Sequence, residues 1–229
     1  MQVSMLLSVI GALCFSLSSF ANAQTIAARG GYSYFQSLTG DASNSTKSRW
    51  DNLYRKHKGY VFGKEPAAFL VENMSSLPKF GKALDIAMGE GRNAVFLAKK
   101  GFEVDGVEIS EVAIRKARQL ANENKVRIHA INADLNKYQI APQAYNLIIV
   151  FYYLQRSLAP QIVKGLKPGG ILVFETNTID HLKYDRTYNR EYLLQKDELK
   201  TLFKELEVLK YEERDDGVGV VASLIARKR

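Results

Sequence analysis

The stretch ALDIAMGEGRNAVFLAKKGFEVDGVEIS (residues 83–110) decides the fold of this 229-residue chain. The short apolar run at 82–87 predicts a buried strand that turns at two glycines, and residues 93–100 then predict a helix closed by Gly101. A second strand is predicted at 102–108. A strand–helix–strand unit of this kind indicates two parallel strands in a sheet covered by helices.

The same alternation continues on both sides of this stretch. Ser110 is placed to cap a helix over 111–124, and Pro66 suits the first turn of a helix over 67–74. The remaining elements predicted are strands at 126–132, 145–153 and 169–177, helices at 156–166 and 196–203, and an antiparallel hairpin of 206–214 with 217–228. The predicted fold is therefore α/β, a doubly wound, mostly parallel, seven-stranded Rossmann-like sheet with a C-terminal antiparallel hairpin at its edge.

The N-terminal segment differs from the rest of the chain. Residues 1–23 contain no charged side chain and end in Ala21-Asn22-Ala23, which predicts a cleaved secretory signal peptide and export to the periplasm or medium. Its apolar run is shorter than a membrane span requires, so no stable span is expected after cleavage. An uncleaved membrane anchor and a cytoplasmic protein remain the alternatives. Residues 24–49 have a linker composition, which leaves 50–229 as the folded domain.

Composition excludes several classes of protein. With 46% hydrophobic and 24% charged residues, the chain is neither disordered nor a polytopic membrane protein, and Cys14, its only cysteine, excludes a disulfide scaffold. The net charge of +8 comes from dispersed Lys and Arg, which indicates a solvated basic surface and no specific nucleic-acid partner. The three histidines lack metal-ligand spacing, so no metal is expected.

The glycine-rich turn and three acids form the candidate binding site. Gly89 and Gly91 let a ligand approach the backbone, and Glu108, at the end of the second strand, is placed to accept hydrogen bonds from a ribose diol. The turn also satisfies G-x-G-x-x-A, which leaves a nicotinamide dinucleotide open. Asp85 in the turn and Asp134 after the third strand favour a cationic ligand instead, because a carboxylate would repel a pyrophosphate.

These residues resemble a known family. The stretch at 83–110 looks like the first motifs of class I S-adenosylmethionine-dependent methyltransferases, and GEGRNAVFLA (89–98) is most similar to the tellurite-resistance methyltransferase group. The resemblance extends from about Trp50 to the C-terminus. It implies S-adenosyl-L-methionine as cofactor and a small-molecule methyl acceptor, a thiol or a chalcogen oxyanion by analogy.

The resemblance also assigns roles to individual residues. It implies contacts to the methionine portion from the turn, to the ribose from Glu108, to the adenine from the segment after the third strand, and to the sulfonium from the end of the fourth. The implied cofactor residues are Asp85, Ala87, Gly89, Gly91, Glu108, Ile109, Asp134, Leu135 and Phe151. Three positions depart from the family pattern: Ala87 replaces the usual Gly, Met88 a frequent Cys, and Glu108 the usual Asp.

Candidate groups for the acceptor follow the fourth and fifth strands. They are Tyr152, Tyr153, Arg156, His181 and Arg186, with Arg190 nearby. A cover over the cofactor is expected from aromatic residues near the start of the domain, namely Trp50, Tyr54, Tyr60 and Phe62. Two alternatives to a methyltransferase remain open, a non-catalytic S-adenosylmethionine-binding protein and a nicotinamide-dependent oxidoreductase. The oligomeric state is left open.

Overall fold

The computed structural model describes residues 45–229, so the predicted signal peptide and nearly all of the predicted linker lie outside the described residues. The first element, α1 (Thr46–Lys56), is capped by Ser45, whose side chain accepts a hydrogen bond from the backbone N–H of Ser48. Residues 46–49 are therefore helical, which corrects the predicted end of the linker at residue 49. Among residues 45–229, no helix is both long and apolar enough to cross a membrane.

The helices and strands alternate as the sequence predicts. After α1 the order is α2 (Ala68–Glu72), β1 (Gly81–Ile86), α3 (Arg92–Lys99), β2 (Phe102–Glu108), α4 (Glu111–Glu123), β3 (His129–Asn132), β4 (Tyr145–Phe151), α5 (Ala159–Gly165), β5 (Leu166–Asn177), α6 (Glu198–Leu202), β6 (Glu207–Asp215) and β7 (Val220–Arg227).

The seven strands form one sheet in the order β3-β2-β1-β4-β5-β7-β6. The strands β1 to β5 pair in parallel, whereas β7 pairs antiparallel with β5 and with β6 at the edge. The predicted fold class is confirmed, including the C-terminal hairpin. The strand order changes direction at β1, because the chain continues to β2 on one side of it and later to β4 on the other. Ligands bind in such sheets at this point, beyond the carboxyl ends of the strands.

Both faces of the sheet are covered by buried apolar side chains. Leu84 and Ile86 of β1 belong to a core with α5 and α6, whereas Ala83, on the opposite face, belongs to a second core with α2, α3 and α4. Because both faces are buried, the central strands are nearly continuous apolar runs. Asp85 interrupts β1 on the second face, and it is 2% exposed.

Some boundaries differ from the predictions. The helix predicted at 156–166 begins as a 3-10 turn (Arg156–Leu158), and the α-helix proper starts at Ala159, next to Pro160, which favours a first turn. β5 begins at Leu166 and not at residue 169, because Leu166 pairs with Tyr145 across a register shift. β3 has only four residues.

Candidate functional site

A cavity of about 140 Å³ lies at the carboxyl ends of β1, β2 and β4. It contains eight of the nine predicted cofactor residues: Asp85, Ala87, Gly89, Glu108, Ile109, Asp134, Leu135 and Phe151. Parallel strands bring these residues together because each strand ends at the same edge of the sheet.

Gly91 is the exception among the predicted cofactor residues. It is the N-cap of α3 at φ +84°, and a Cβ there would lie 2.7 Å from the Cβ of Ala117 in α4. Gly91 therefore permits close packing of α3 on α4 and does not line the cavity. Gly89, at φ +55°, does line the cavity, and a Cβ there would approach the hydroxyl of Tyr54 at 3.1 Å.

Ala87 carries the turn where the family pattern has Gly. Its φ is +56°, a left-handed conformation that costs an L-residue with a Cβ about 1–2 kcal/mol. The following residue, Met88, donates its backbone N–H to the carbonyl of Val107 at 3.0 Å, which ties the turn to β2. The sulfur of Met88 packs against Gly106, where a Cβ would lie only 2.1 Å from it.

Glu108 organises the backbone of the site. It is 5% exposed, and its two carboxylate oxygens accept from the N–H of Gly89 at 3.0 Å and of Ser110 at 2.8 Å. Burial raises the pKa of Glu108 to about 7, although these backbone donors favour the charged form. Each oxygen keeps a second lone pair, so the carboxylate can still accept from two ribose hydroxyls.

Asp85 has the most perturbed carboxyl group of the site. Burial raises its pKa to about 8, while Arg92 and the backbone N–H of Ala94 act in the opposite direction. Within the described residues 45–229, its Oδ2 atom has no hydrogen-bond partner. A buried acceptor of this kind is costly unless a ligand completes it. An ammonium group supplies the missing donor and positive charge, so Asp85 fits the amino group of S-adenosylmethionine.

An aromatic cover closes the cavity from the N-terminal side. Trp50 and Tyr54 of α1 stack at 5.8 Å between ring centroids, and Phe62 meets Tyr54 edge-on at 6.3 Å. All three line the cavity, as expected. Tyr60 is not among its lining residues and donates its hydroxyl to the carbonyl of Lys116 instead.

Two buried acids hold this cover on the domain. Asp51 of α1 accepts from the hydroxyl of Ser110 at 2.6 Å, at the N-terminus of α4. Glu90 accepts from the N–H of Val61 at 2.6 Å and forms an ion pair with Lys116 at 2.9 Å. The turn that carries Gly89 is therefore linked directly to the segment that covers it.

The predicted acceptor residues separate into two groups. Tyr152 and Tyr153 line the cavity, but Arg156, His181 and Arg186 do not. Arg156 donates to the carbonyl of Glu191 at 2.7 Å and of Leu193 at 2.9 Å and pairs with Glu198, so it holds the segment after β5 in place. Local sequence did not reveal these partners because they are more than 30 residues away.

His181 and Arg186 lie in the segment after β5. His181 is 3% exposed and meets the ring of Tyr188 edge-on at 5.1 Å, and Tyr188 lines the cavity. His181 therefore supports the wall and does not form it. Arg186 lies with Arg190 and Lys183 along a separate open groove.

Several cavity residues were not among those predicted. They are Thr46, Gly63, Met88, Glu90, Arg92, Asn93, Asn136, Asn177 and Tyr188. Arg92 and Asn93 belong to the GEGRN motif itself, so their place at the start of α3 was a usable signal. Asn177 and Tyr188, which share a hydrogen bond of 3.1 Å, come together only through the fold of the segment after β5.

Comparison with known proteins identifies the family. The family model described as "Tellurite resistance protein TehB" matches residues 56–220, well over half of the chain. The chain belongs to the TehB family. It is 27% identical to TehB of Haemophilus influenzae over 140 residues, which cover 58% of this chain and 48% of the relative. It is also 29% identical to Hemagglutinin 1 of Eikenella corrodens over 160 residues, 65% of this chain and 50% of the relative.

Solved structures have the same fold. The crystal structure of TehB from Haemophilus influenzae superposes with a TM-score of 0.63 at 19% identity, covering 79% of this chain and 67% of that one. A geranyl diphosphate C-methyltransferase of Streptomyces coelicolor in complex with S-adenosyl-L-homocysteine superposes with a TM-score of 0.60 at 13% identity, covering 84% and 89%. The resemblance to the tellurite-resistance group is confirmed by the family match, and the solved structures confirm the fold. The chain spans about half the length of the curated relatives named above.

Proposed function

We propose that this TehB-family chain transfers a methyl group from S-adenosylmethionine to a small-molecule nucleophile. The observation that carries the proposal is the buried, unpartnered Oδ2 of Asp85, which faces the same cavity as Glu108 among residues 45–229. When bound, S-adenosylmethionine supplies an electrophilic methyl group on a sulfonium. Asp85 would hold the amino group of the cofactor and Glu108 would hold its ribose hydroxyls, and together they would fix the orientation of the cofactor.

The residues of the cavity contribute mainly by positioning and by excluding water. Displacement at a methyl group requires in-line alignment, which a preorganised site supplies without an acid–base pair. Ile109, Leu135 and Phe151 provide apolar walls, and the cover formed by Trp50, Tyr54 and Phe62 excludes solvent. Tyr152 and Tyr153 line the same cavity, where aromatic rings can stabilise positive charge.

The lining of the cavity supports a small acceptor. The aromatic rings of Trp50, Tyr54, Phe62, Tyr152 and Tyr153 favour a compact soft nucleophile, such as a thiol or a chalcogen oxyanion, over a structured RNA. RNA stays an outcome to test, because a tRNA (uracil(54)-C(5))-methyltransferase of Pyrococcus abyssi is 32% identical over 133 residues, 56% of this chain and 31% of the relative.

The test is transfer of a labelled methyl group. The chain is incubated with S-adenosylmethionine labelled in its methyl group and with a panel of thiols, selenite, tellurite and unmodified tRNA. Label in a small methylated product supports the proposal, and label in tRNA alone would replace the acceptor class. Tight cofactor binding without transfer to any acceptor would favour a non-catalytic binding protein, whereas binding of NAD alone would favour an oxidoreductase.

Export is a separate proposal that rests on residues 1–23. The charge-free run and the Ala21-Asn22-Ala23 site support it, and they lie outside the described residues. Determining the N-terminal residue of the protein isolated from its cells tests it. A chain that begins at Gln24 supports cleavage and export, and a chain that retains Met1 contradicts cleavage.

A further inference from the structure

A buried carboxylate, Glu175, lies next to Tyr152, outside the cofactor contacts described above. Glu175 lies near the carboxyl end of β5 and is 1% exposed, in a strand whose other members are mostly apolar. Its Oε1 accepts from the hydroxyl of Tyr152 at 3.1 Å, and its Oε2 accepts from the hydroxyl of Ser223 in β7 at 2.7 Å. A carboxylate is buried at considerable cost, so two hydroxyl donors directed at it indicate a built arrangement.

Tyr152 connects this carboxylate to the cavity. It lines the cavity directly after β4, and its backbone N–H donates to the carbonyl of Glu175 at 2.8 Å. Its φ of +55° is a conformation that a bulky residue adopts only when its surroundings enforce it. The strained backbone and the bond to Glu175 together fix the phenol of Tyr152 at the wall of the cavity, next to the carboxylate.

Two hydroxyl donors and one cation surround Glu175. Ser223 faces it from β7 and Tyr152 from the end of β4, and Arg92 at the start of α3 is electrostatically coupled to it. The guanidinium carbon of Arg92 also lies 5.9 Å from the ring centroid of Tyr152. Asp85 is the further charged group coupled to Arg92, on the cofactor side of it.

We propose that Tyr152 and Glu175 form a proton relay for protic acceptors, with Tyr152 touching the acceptor and Glu175 acting through it. The inference rests on the proposed methyl transfer. The acceptor atom gains the methyl group as the bond from that methyl to sulfur breaks, and the electron pair of that bond stays on sulfur. The acceptor's proton passes to the phenol oxygen of Tyr152, and the phenol's own proton passes to Oε1 of Glu175, which becomes a carboxylic acid. Water removes that proton after the product leaves.

The relay predicts a pH-dependent defect in Glu175→Gln. With 2-mercaptoethanol as acceptor, kcat should fall about 100-fold at pH 7, the size typical of a lost general base. Below the thiol's own pKa, the thiolate fraction in solution rises about tenfold per pH unit without any base, so the deficit should shrink by roughly tenfold per unit as the pH rises above 7. Tyr152→Phe should behave in the same way. Affinity for S-adenosylhomocysteine, measured by calorimetry, should stay within about twofold in both variants.

A second tyrosine–glutamate pair supplies matched controls. Tyr211 donates its hydroxyl to Glu213 at 2.5 Å on the edge strand β6, away from the cavity. Glu213→Gln and Tyr211→Phe should therefore follow the pH profile of the unmodified chain. Infrared difference spectra of the unmodified chain against Glu175→Gln give a measurement without turnover, and they should contain a carboxylate band and no protonated carboxyl band at pH 7.

Three results would overturn the relay while methyl transfer stands. These are a deficit in Glu175→Gln that is absent or constant with pH, an equal deficit in Glu213→Gln, and a protonated Glu175 at rest. Inertness of the unmodified chain toward the whole panel would overturn both the relay and the proposed function, so the two failures are distinguishable.

Discussion

Ionisation of Asp85 should strengthen cofactor binding steeply between about pH 6 and pH 9, because binding of the ligand's ammonium group requires Asp85 to be ionised. Burial raises the pKa of this carboxyl to about 8 in the free protein. A bound ammonium group supplies the donor that Oδ2 lacks among residues 45–229 and so lowers that pKa in the complex. The protein must release a proton on binding wherever Asp85 is protonated beforehand.

The size of the effect follows from the pKa. With a value of about 8, roughly one molecule in eleven has an ionised Asp85 at pH 7, compared with about ten in eleven at pH 9. Ionisation of Asp85 by itself should therefore lower the dissociation constant about tenfold from pH 7 to pH 9, which corresponds to about 1.4 kcal/mol. Deprotonation of the ligand's own amine acts in the opposite direction, so the contribution of Asp85 is measured as the ratio of the dissociation constants of Asp85→Asn and the unmodified chain. Glu108 has a pKa raised to about 7, so its ionisation should also lower the dissociation constant as the pH rises toward 7.

Titration calorimetry with S-adenosylhomocysteine at pH 6, 7, 8 and 9 measures this dependence. Asp85→Asn should bind more weakly at pH 9 and should lose the part of the profile that Asp85 causes, leaving the titration of the ligand's own amine and of Glu108. Asp180→Asn, which changes an exposed aspartate, is the matched control and should follow the unmodified chain. A ratio of the dissociation constants of Asp85→Asn and the unmodified chain that changes less than twofold between pH 7 and pH 9 would refute the reasoning.

Three further outcomes are expected from the structure. The pKa of Asp85 in the folded protein lies above its unfolded value of 3.8, so the stability of the ligand-free protein should fall as the pH rises from about 4 to 8. Asp85→Asn should remove that fall in thermal melts. Equal pH slopes for the two proteins would contradict the prediction. Gly91→Ala should lower the free energy of unfolding by about 2–4 kcal/mol, because its Cβ would clash with α4 and its φ is +84°. Gly101→Ala, at φ +94° with open space around it, should lower it by about 1–2 kcal/mol. Comparable melting temperatures of the two variants would count against the packing role of Gly91. Arg156→Ala should speed tryptic cleavage in residues 178–195 several-fold, and unchanged cleavage would mean that other contacts hold that segment.

The fold and the first half of the site were accessible from sequence because they depend on local patterns. Apolar runs separated by a helix indicate parallel strands, and parallel strands end at one edge, so Asp85, Glu108 and Asp134 were expected to converge. The cavity does bring them together. The raised pKa values of Asp85 and Glu108 were not accessible, because burial depends on the whole tertiary structure.

The acceptor side was harder to predict because its partners are distant in sequence. Arg156 was predicted as a candidate group for the acceptor, but its guanidinium binds groups 35 to 42 residues further along the chain. Gly91 illustrates the opposite error, since a glycine inside a binding motif can serve packing instead of the ligand. Glu175 offered one local signal, an acid inside an apolar strand, which indicates a partner that only the fold supplies.

A structure of the chain bound to S-adenosylhomocysteine tests the central claim most directly. The ligand's ammonium group should lie about 3 Å from Oδ2 of Asp85, with its ribose hydroxyls on Glu108 and its adenine beside Asp134 and Leu135. Its sulfur should face Phe151 and Tyr152, toward the acceptor space. A ligand bound outside this cavity, or one whose ammonium group leaves Asp85 without a partner, would contradict the assignment of the site.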